Sequence, residues 1–168
     1  MRKRRSRPEF QESAAVIDNN ELEVESCSQA ELDDHLRAFI STFVLPQAQP
    51  RWQEFLISKR ANWSDIPRSP RNAEIVRKAA AVLRTFPNYQ RHCVLVGGSD
   101  RSEDHYGATF RTSSGVYFEL GTPPCRITAL EAETRFSTEG SSALLSFEPG
   151  KKALFFCHDG GIWKCEKS

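Results

Sequence analysis

The amino-acid sequence predicts an α+β fold in which N-terminal helices pack on one face of a C-terminal antiparallel sheet. Apolar residues follow helical spacing in the first half of the chain and change to extended runs near residue 92. The clearest extended segment lies between Ala143 and Glu166, where three aromatic-rich runs are separated by Pro149-Gly150 and by Asp159-Gly160-Gly161. These features predict a three-stranded antiparallel meander, which needs a covering layer because such a ribbon is only marginally stable alone.

Length and composition predict one folded domain behind a charged leader. The chain has 168 residues, 39% of them hydrophobic and 27% charged, with a formal net charge of +1. We assign residues 1–26 to a flexible leader, because their apolar residues are isolated among acidic ones, and residues 27–168 to a single α+β domain. The basic start leads into Pro8-Glu9, and no apolar run approaches the roughly 20 residues of a membrane-spanning helix. These features predict a cytoplasmic protein.

Three helices are predicted from their start signals and apolar spacing. The first begins at Ser28, because Ser28-Gln29-Ala30-Glu31 is a capping box whose two side chains satisfy two backbone N–H groups. The second begins near Pro50, and the third begins at Ser69-Pro70 and ends at Pro87-Asn88. The apolar faces consist of Leu32, Leu36, Phe39, Ile40 and Phe43 in the first helix, Trp52, Phe55 and Leu56 in the second, and Ile75, Ala79, Val82, Leu83 and Phe86 in the third.

Extended segments follow the helices. Cys93 to Val96 has the composition of a buried strand, and Ala108 to Arg111 is predicted to pair with Val116 to Leu120 as a hairpin across Ser113-Ser114-Gly115. Ile127 to Phe136 favours a short strand or an irregular turn, with a helix as the alternative. The expected core includes Leu36, Phe39, Ile40, Phe55, Val82, Leu83, Val94, Val96, Phe118, Leu145 and Phe155.

Two patches of the chain combine aromatic, basic and turn residues. They are Phe39-Ile40, Phe43-Val44, Pro46, Arg51-Trp52, Phe55-Leu56 and Lys59-Arg60 in the helical half, and Ser146-Phe147-Glu148-Pro149-Gly150-Lys151 in the meander. Together they resemble a pattern in uncharacterised small bacterial proteins. That pattern carries no catalytic signature, so the resemblance implies no particular activity.

The five cysteines are predicted to be free thiols, because they show neither a C-x-x-C pair nor a metal-ligand spacing. Cys157 and Cys165 are expected on opposite faces of the meander, which excludes a disulfide between them. Cys157-His158-Asp159 contains the residue types of a nucleophilic triad, but neighbours along a strand point to opposite faces, which favours a structural role. The sequence also lacks the spacing of a zinc site, a calcium site or a phosphate-binding loop, so we expect no metal and no cofactor.

The near-zero net charge hides a separation of charge along the chain. From Pro8 to Leu36 there are nine acidic residues and no lysine or arginine, whereas Arg51 to Arg91 carries nine basic residues and three acidic ones. One interpretation is an acidic leader that covers a basic helical surface of the same chain. The other is an acidic protein or a nucleic acid as the partner of that surface.

The leading hypothesis is a small protein-binding module, most concretely an immunity or inhibitor protein that occludes a partner such as a toxin or effector. Separated charges without a catalytic constellation suit electrostatically steered binding, so we expect no enzyme activity. The loop from Ser99 to Gly107 lies between two predicted strands, where functional residues are often displayed. The predicted partner-binding residues are Asp100, Arg101, Glu103, Asp104, His105 and Arg111.

Two alternatives stay open. One is a cysteine-dependent enzyme that uses Cys157 or Cys93. His92 or His105 is a possible base for Cys157, whereas His92 and Cys93 are neighbours on a strand and point to opposite faces. The other is a nucleic-acid-associated accessory factor that uses the surface from Arg51 to Arg91 together with the basic start of the chain. The residues of that start are Arg2, Lys3, Arg4, Arg5 and Arg7.

Overall fold

A computed structural model of the protein describes residues 24–60, 70–97, 107–136 and 141–168. The helices are α1 (Gln29–Phe43), α2 (Gln49–Gln53), α3 (Pro70–Arg84), α4 (Ala108–Thr112) and α5 (Ala129–Arg135), with a π-helical segment at Glu54–Ser58 and a 3₁₀ turn at Phe86–Asn88. The strands are β1 (Glu25–Ser26), β2 (Cys93–Gly97), β3 (Ser114–Glu119), β4 (Cys125–Thr128), β5 (Ala143–Glu148), β6 (Lys152–Phe156) and β7 (Ile162–Glu166). Within these four ranges, the helices are too short or too polar to cross a membrane.

The described strands form one antiparallel sheet in the order β1-β4-β3-β5-β6-β7-β2. The predicted meander is confirmed, because β5, β6 and β7 are consecutive both in the chain and in the sheet. Gly150, in the turn between β5 and β6, has a φ of 68°, and a Cβ atom there would lie 3.0 Å from Thr42 Oγ1 of α1. Glycine suits both the left-handed backbone and the close approach, so the turn can pack directly against the end of α1.

Helices cover both faces of the sheet. On one face, α1, α2, the π-helical segment and α3 pack on Phe118, Leu144 and Phe155, which confirms the predicted α+β fold. On the other face, α4 and α5 contribute to a second cluster with Leu145 and Phe156. Alternate residues of β5 and β6 therefore enter different clusters, and this burial on both faces explains why the two strands are apolar along most of their length.

The start of α1 is capped as predicted, but the capping box forms only in part. Ser28 Oγ accepts a hydrogen bond from the backbone N–H of Glu31 at 3.1 Å. The Glu31 carboxylate instead forms an ion pair with Arg126 of β4 and accepts a hydrogen bond from the Cys27 thiol at 3.3 Å. A tertiary contact thus replaces the local one and ties α1 to the sheet. The predicted apolar face of α1 is buried throughout, at Leu32, Leu36, Phe39, Ile40 and Phe43.

Aromatic rings join the helical layer to the sheet. Phe155 of β6 is fully buried and stacks on Phe86 with ring centroids 4.1 Å apart. Phe39 of α1 lies 6.2 Å from Phe155 and 5.6 Å from Phe86, and Trp52 of α2 lies 5.9 Å from Phe86, centroid to centroid. The first two helices and the turn after α3 therefore all contribute rings to a shared cluster. Such ring pairs add about 0.5–1.5 kcal/mol each beyond the burial of their area.

The hairpin predicted between Ala108–Arg111 and Val116–Leu120 is wrong. Ala108–Thr112 is helix α4, and β3 pairs with β4 on one side and with β5 on the other. Because both edges of β3 are occupied, no position remains for an additional strand. A helical turn instead directs Phe110 onto Phe147, with the rings edge to face and their centroids 5.3 Å apart.

Two further segments differ from their sequence predictions. Ile127–Phe136 combines both alternatives, because β4 ends at Thr128 and α5 begins at Ala129. Thr128 and Glu131 form a complete capping box, which starts the helix directly after the strand. Glu25 and Ser26, which fall within the predicted leader, form β1 beside β4.

The predicted core is confirmed except on β2. Val94 is exposed and Val96 is half-buried, because β2 lies at the edge of the sheet and lacks the helical cover of the inner strands. The buried predicted positions are Leu36, Phe39, Ile40, Phe55, Val82, Leu83, Phe118, Leu145 and Phe155.

Replacing Phe155 with alanine should destabilise the fold strongly, because its ring contacts rings from α1, α2 and the turn after α3. We expect the free energy of unfolding, measured by urea denaturation, to fall by about 3–5 kcal/mol. Leu130→Ala is the matched control, since Leu130 is exposed on α5 and its removal should change stability by less than about 0.5 kcal/mol. Equal losses in the two variants would contradict the central role of Phe155.

Candidate functional site

The structure describes part of the predicted partner surface. Arg111 is half-buried on α4. β2 ends at Gly97 and α4 begins at Ala108, so these two elements flank residues 98–106 on either side. The remaining predicted residues lie outside the described ranges, namely Asp100, Arg101, Glu103, Asp104 and His105 in the loop and Arg2, Lys3, Arg4, Arg5 and Arg7 in the leader.

β2 lies at the edge of the sheet, and β7 is its one strand neighbour among the described residues. The register pairs Cys93 with Cys165, Val94 with Lys164 and Leu95 with Trp163. The backbone N–H of Glu166 donates to the His92 carbonyl at 3.1 Å, so these two residues form a hydrogen-bonded pair. Because such pairs alternate along an antiparallel ladder, Val94 bonds to β7, whereas the N–H and C=O groups of Cys93 and Leu95 point away from it.

The side chains of β2 are unusually exposed for apolar residues. Val94 is 60% exposed and Leu95 is 58% exposed, and as neighbours on a strand they point to opposite faces. β2 also has no charged residue and no proline, which are common means of protecting a sheet edge. A β-bulge between Leu95 and Gly97 is the one such device on this strand. An apolar edge with outward-pointing backbone groups is suited to accept another strand.

The chain that leads into β2 is anchored to the end of α1. The backbone N–H of Arg91 donates to the Phe43 carbonyl at 2.8 Å, and Arg91 Nε donates to the Thr42 carbonyl at 2.6 Å. The N–H of Leu45 in turn donates to the Tyr89 carbonyl at 2.7 Å. These hydrogen bonds hold the start of the edge strand in place, so its outer edge is preformed before any partner arrives.

Helix α4 packs on side chains of β5 and β7, on the face of the sheet to which Val94 points. Lys164 of β7, which opposes Val94, places its Nζ 4.7 Å from the centroid of the Phe110 ring on α4. Phe110 in turn packs edge to face on Phe147 of β5. Because Arg111 is the next residue on the same helix, the predicted partner-binding cation lies on the element that covers the Val94 face of the sheet.

A basic groove lies on the opposite, helical side of the protein. Cations surround Phe55 of the π-helical segment, with Arg51 Cζ at 5.8 Å, Lys59 Nζ at 4.8 Å and Lys78 Nζ at 5.9 Å from the ring centroid. The adjoining groove has a volume of about 330 Å³. Its lining combines apolar and charged side chains from the π-helical segment and α3: Phe55, Ser58, Lys59, Arg71, Glu74, Ile75 and Lys78.

Two acidic residues partly neutralise this groove. Glu54 pairs with Lys59, and Glu74 pairs with Lys78 at 3.0 Å. In both cases the hydrogen bond from the lysine lowers the pKa of the carboxyl group. The mixture of acidic, basic and apolar groups resembles a protein-binding surface more than a uniform track for phosphates.

The Cys157-His158-Asp159 segment has the geometry of a structural turn. Cys157 is fully buried, and its Sγ lies 3.7 Å from His158 Nδ1. Burial, with a further contribution from Asp159, raises the pKa of the thiol to about 11. At pH 7 only about one molecule in 10⁴ would carry the nucleophilic thiolate. Asp159 accepts a hydrogen bond from the Gly161 N–H at 3.0 Å, so its carboxylate stabilises the turn before β7.

The predicted faces of the two late cysteines are wrong. Cys165 opposes Ala153 of β6, and Cys157, the residue directly after β6, lies four positions beyond Ala153, so both cysteines belong to the cluster under the helical layer. The opposite-face prediction rests on a two-residue turn, but Phe156 pairs with Ile162 and the Cys157 N–H donates to the Gly161 carbonyl, which leaves three residues between the paired positions. The pairing is therefore displaced by an odd number of residues, and this places both cysteines on the same face. Phe155 and Trp163 lie between Cys157 and Cys165 on that face. All five cysteines of the chain are free thiols.

A buried polar pair joins α1 to the sheet and was not predicted. His35 Nδ1 lies 2.8 Å from Ser146 Oγ, and both side chains are buried. Desolvation by burial lowers the pKa of His35, although Asp34 opposes this shift. The sequence signal was weak, because His35 sits one position before Leu36 on the apolar face of α1 and Ser146 interrupts the apolar run of β5.

Neither a group of metal ligands in the described ranges nor a similarity to a known protein indicates a function for the candidate site. In the described ranges, His, Cys, Asp and Glu side chains do not gather in groups of three or more that could hold a metal ion. Comparison with protein-family models, with curated proteins and with solved structures finds no match to this chain. The candidate site is therefore defined by geometry, as the outer edge of β2 with the adjoining helix α4.

The His35–Ser146 pair predicts a loss of stability in mild acid. The ordinary pKa of histidine is 6.5 and the folded value is lower, so the unfolded chain takes up the proton first as the pH falls. The contribution of His35 to the free energy of unfolding is therefore fully present above pH 6.5. It decreases as the pH falls from there to the pKa of the folded state, by at most about 1.4 kcal/mol per pH unit.

Urea denaturation between pH 7.5 and 5 measures this effect. His35→Gln keeps a polar group for Ser146 but cannot titrate, so its stability should depend less on pH. His92→Asn is the matched control: His92 is exposed and has a φ of 57°, which asparagine tolerates well. If the wild type and His35→Gln lost stability equally on acidification, this assignment would be refuted.

Proposed function

We propose that the protein is a binding module that captures an extended segment of a partner protein by strand addition at the outer edge of β2. In its most concrete form it is an immunity or inhibitor protein that occludes the captured segment. The observation that carries this proposal is the combination, on one strand, of exposed Val94 and Leu95 with outward-pointing backbone groups.

The backbone of β2 supplies the affinity of such a contact. Cys93 and Leu95 each present one N–H and one C=O to the outside, so an added strand gains up to four main-chain hydrogen bonds. Each is worth about 0.5–1.5 kcal/mol net, and the preformed strand lowers the cost of ordering on this side of the interface.

The side chains of β2 supply the specificity. Val94 and Leu95 are exposed on opposite faces, so the incoming segment needs apolar side chains at adjacent positions to cover both. Lys164, which opposes Val94, already pairs with Glu166 at 3.1 Å, so Arg111 on α4 is the cation that favours an acidic residue next to those apolar ones. We therefore expect a partner segment that is extended, apolar at its centre and acidic at one end.

Peptides selected from a random library against the immobilised full-length protein provide a test that needs no known partner. Leu95→Pro removes an outward N–H without breaking a bond to β7, and Val94→Lys places a charge on the apolar edge. Either change should weaken binding of the selected peptides by about tenfold or more. Leu130→Lys is the matched control, because Leu130 is also exposed but lies on α5.

Equal peptide affinity in the wild type and both β2 variants would refute strand addition at this edge. Sedimentation distinguishes one further outcome. If the wild type is a dimer that Leu95→Pro converts to a monomer, the edge is occupied by a second copy of the chain, and capture of a foreign segment is ruled out as the resting function. Urea denaturation of each variant verifies that it remains folded.

The second candidate function is a nucleic-acid-associated accessory factor, favoured by the exposed cations of the helical side. Arg51, Arg71 and Arg77 are all exposed on α2 and α3. Under this alternative, the double variant Arg71→Glu, Arg77→Glu should bind duplex DNA more weakly. The slope of log binding constant against log salt concentration should also become shallower by about one for each phosphate contact that is lost. Lys151→Glu, at the exposed turn between β5 and β6, is the control for net charge. Absence of salt-dependent duplex binding in the wild type would eliminate this alternative.

A further inference from the structure

Two cysteines lie directly opposite each other at the edge of the sheet. Cys93 of β2 pairs in register with Cys165 of β7. Since the neighbouring residues His92 and Glu166 form a hydrogen-bonded pair at 3.1 Å, Cys93 and Cys165 form a non-hydrogen-bonded pair. In such pairs the side chains are at their closest, with Cα atoms about 4.5 Å apart, whereas a disulfide requires about 4.4–6.8 Å.

The two thiols share a face but differ in accessibility. Cys165 is fully buried under the helical layer, and Cys93 is half-buried at the sheet edge and packs against the same cluster. Cys93 Sγ donates to the Arg91 carbonyl at 3.2 Å, which holds the thiol near the point where β2 begins. Burial, together with the adjacent Cys93 thiol, raises the pKa of Cys165. Cys93 is therefore the thiol that an external reagent meets first.

We propose that Cys93 and Cys165 are a redox-active pair that closes to a cross-strand disulfide by exchange with a small-molecule disulfide such as oxidised glutathione. The Cys93 thiolate attacks one sulfur of the reagent, and the S–S bond breaks to give a mixed disulfide and one glutathione thiolate. Cys165 then loses its proton and attacks the Cys93 sulfur, which displaces the second glutathione; because burial raises the pKa of Cys165, this second exchange is the slower step. Two cysteine thiols are oxidised, one glutathione disulfide is reduced to two thiols, and the two cysteine protons end on the released glutathione.

The other three cysteines are not opposed in register to another cysteine, which favours the Cys93–Cys165 pair. Cys27 follows Ser26, which opposes Cys125, and the Cys125 thiol contributes to the raised pKa of Cys27, but the two side chains belong to different clusters on opposite faces of the sheet. Cys157 shares a face with Cys165, but Phe155 and Trp163 lie between them. The predicted free-thiol state therefore describes the reduced protein, and one specific pair is placed to leave it on oxidation. Bond formation joins the edge strand covalently to β7 and requires no partner at the β2 edge.

Thiol mapping by mass spectrometry tests this pair on the full-length protein. After incubation with oxidised glutathione and alkylation, we expect a tryptic peptide that contains Cys93 joined to the peptide that contains Cys165, with the other three cysteines alkylated. The disulfide closes a long chain segment, so the melting temperature should rise by roughly 5–15 °C and return on reduction. Cys165→Ser should stop at the mixed disulfide with glutathione on Cys93, and Cys125→Ser should behave as the wild type.

Two results would overturn the pairing. The first is stable glutathione on Cys93 in the wild type without the cross-link, which would show that Cys165 cannot reach it. The second is a cross-link that survives in Cys93→Ser or Cys165→Ser, which would assign the oxidation to another pair. Because the decisive observation is made on the wild-type chain, it does not depend on the folding of any variant.

Discussion

The stacking of Phe86 on Phe155 is the contact on which the rest of the structure depends. These rings lie 4.1 Å apart, and rings from α1 and α2 join them, so one side chain of β6 contacts three helical elements. The cluster sets the position of the helical layer on the sheet and fixes the turn after α3. That turn leads directly into the residues that anchor β2 to the end of α1. The position of the sheet edge is therefore a consequence of how the core packs.

The same packing explains why one edge differs from the interior. β5 and β6 are covered on both faces and have a strand on either side, so most of their residues are buried. β2 keeps the apolar composition of an inner strand at an edge position, and two of its apolar side chains face solvent. An unprotected apolar edge is a liability for a protein that has no use for it, because it promotes association. A rigid edge with this composition is suited to selective strand addition, and the cysteine pair at its start provides a means to fix the strand to β7.

The sequence predicted the elements whose signals are local. Helical spacing located α1 and α3, and turn residues located the meander from β5 to β7, because these patterns depend on neighbours along the chain. The errors arose where tertiary context decides. Val94 looks like a core residue until the strand order places it at an edge, and Ala108–Thr112 alternates like a strand until both neighbours of β3 are occupied. The candidate site could not be predicted for the same reason: which strand is outermost, and which cysteines become neighbours, depends on the long-range pairing of β2 with β7.

Amide hydrogen exchange of the free protein, resolved by residue with NMR spectroscopy, is the most direct test of an open β2 edge. The N–H of Val94 bonds to β7 and should be protected, whereas those of Cys93 and Leu95 point outward and should exchange fast, with the amides of β6 the slowest of all. An alternating pattern along β2 is the predicted result. Protection of Cys93 and Leu95 comparable to that of β6 would show that the edge is already covered in the free protein, and would contradict the account.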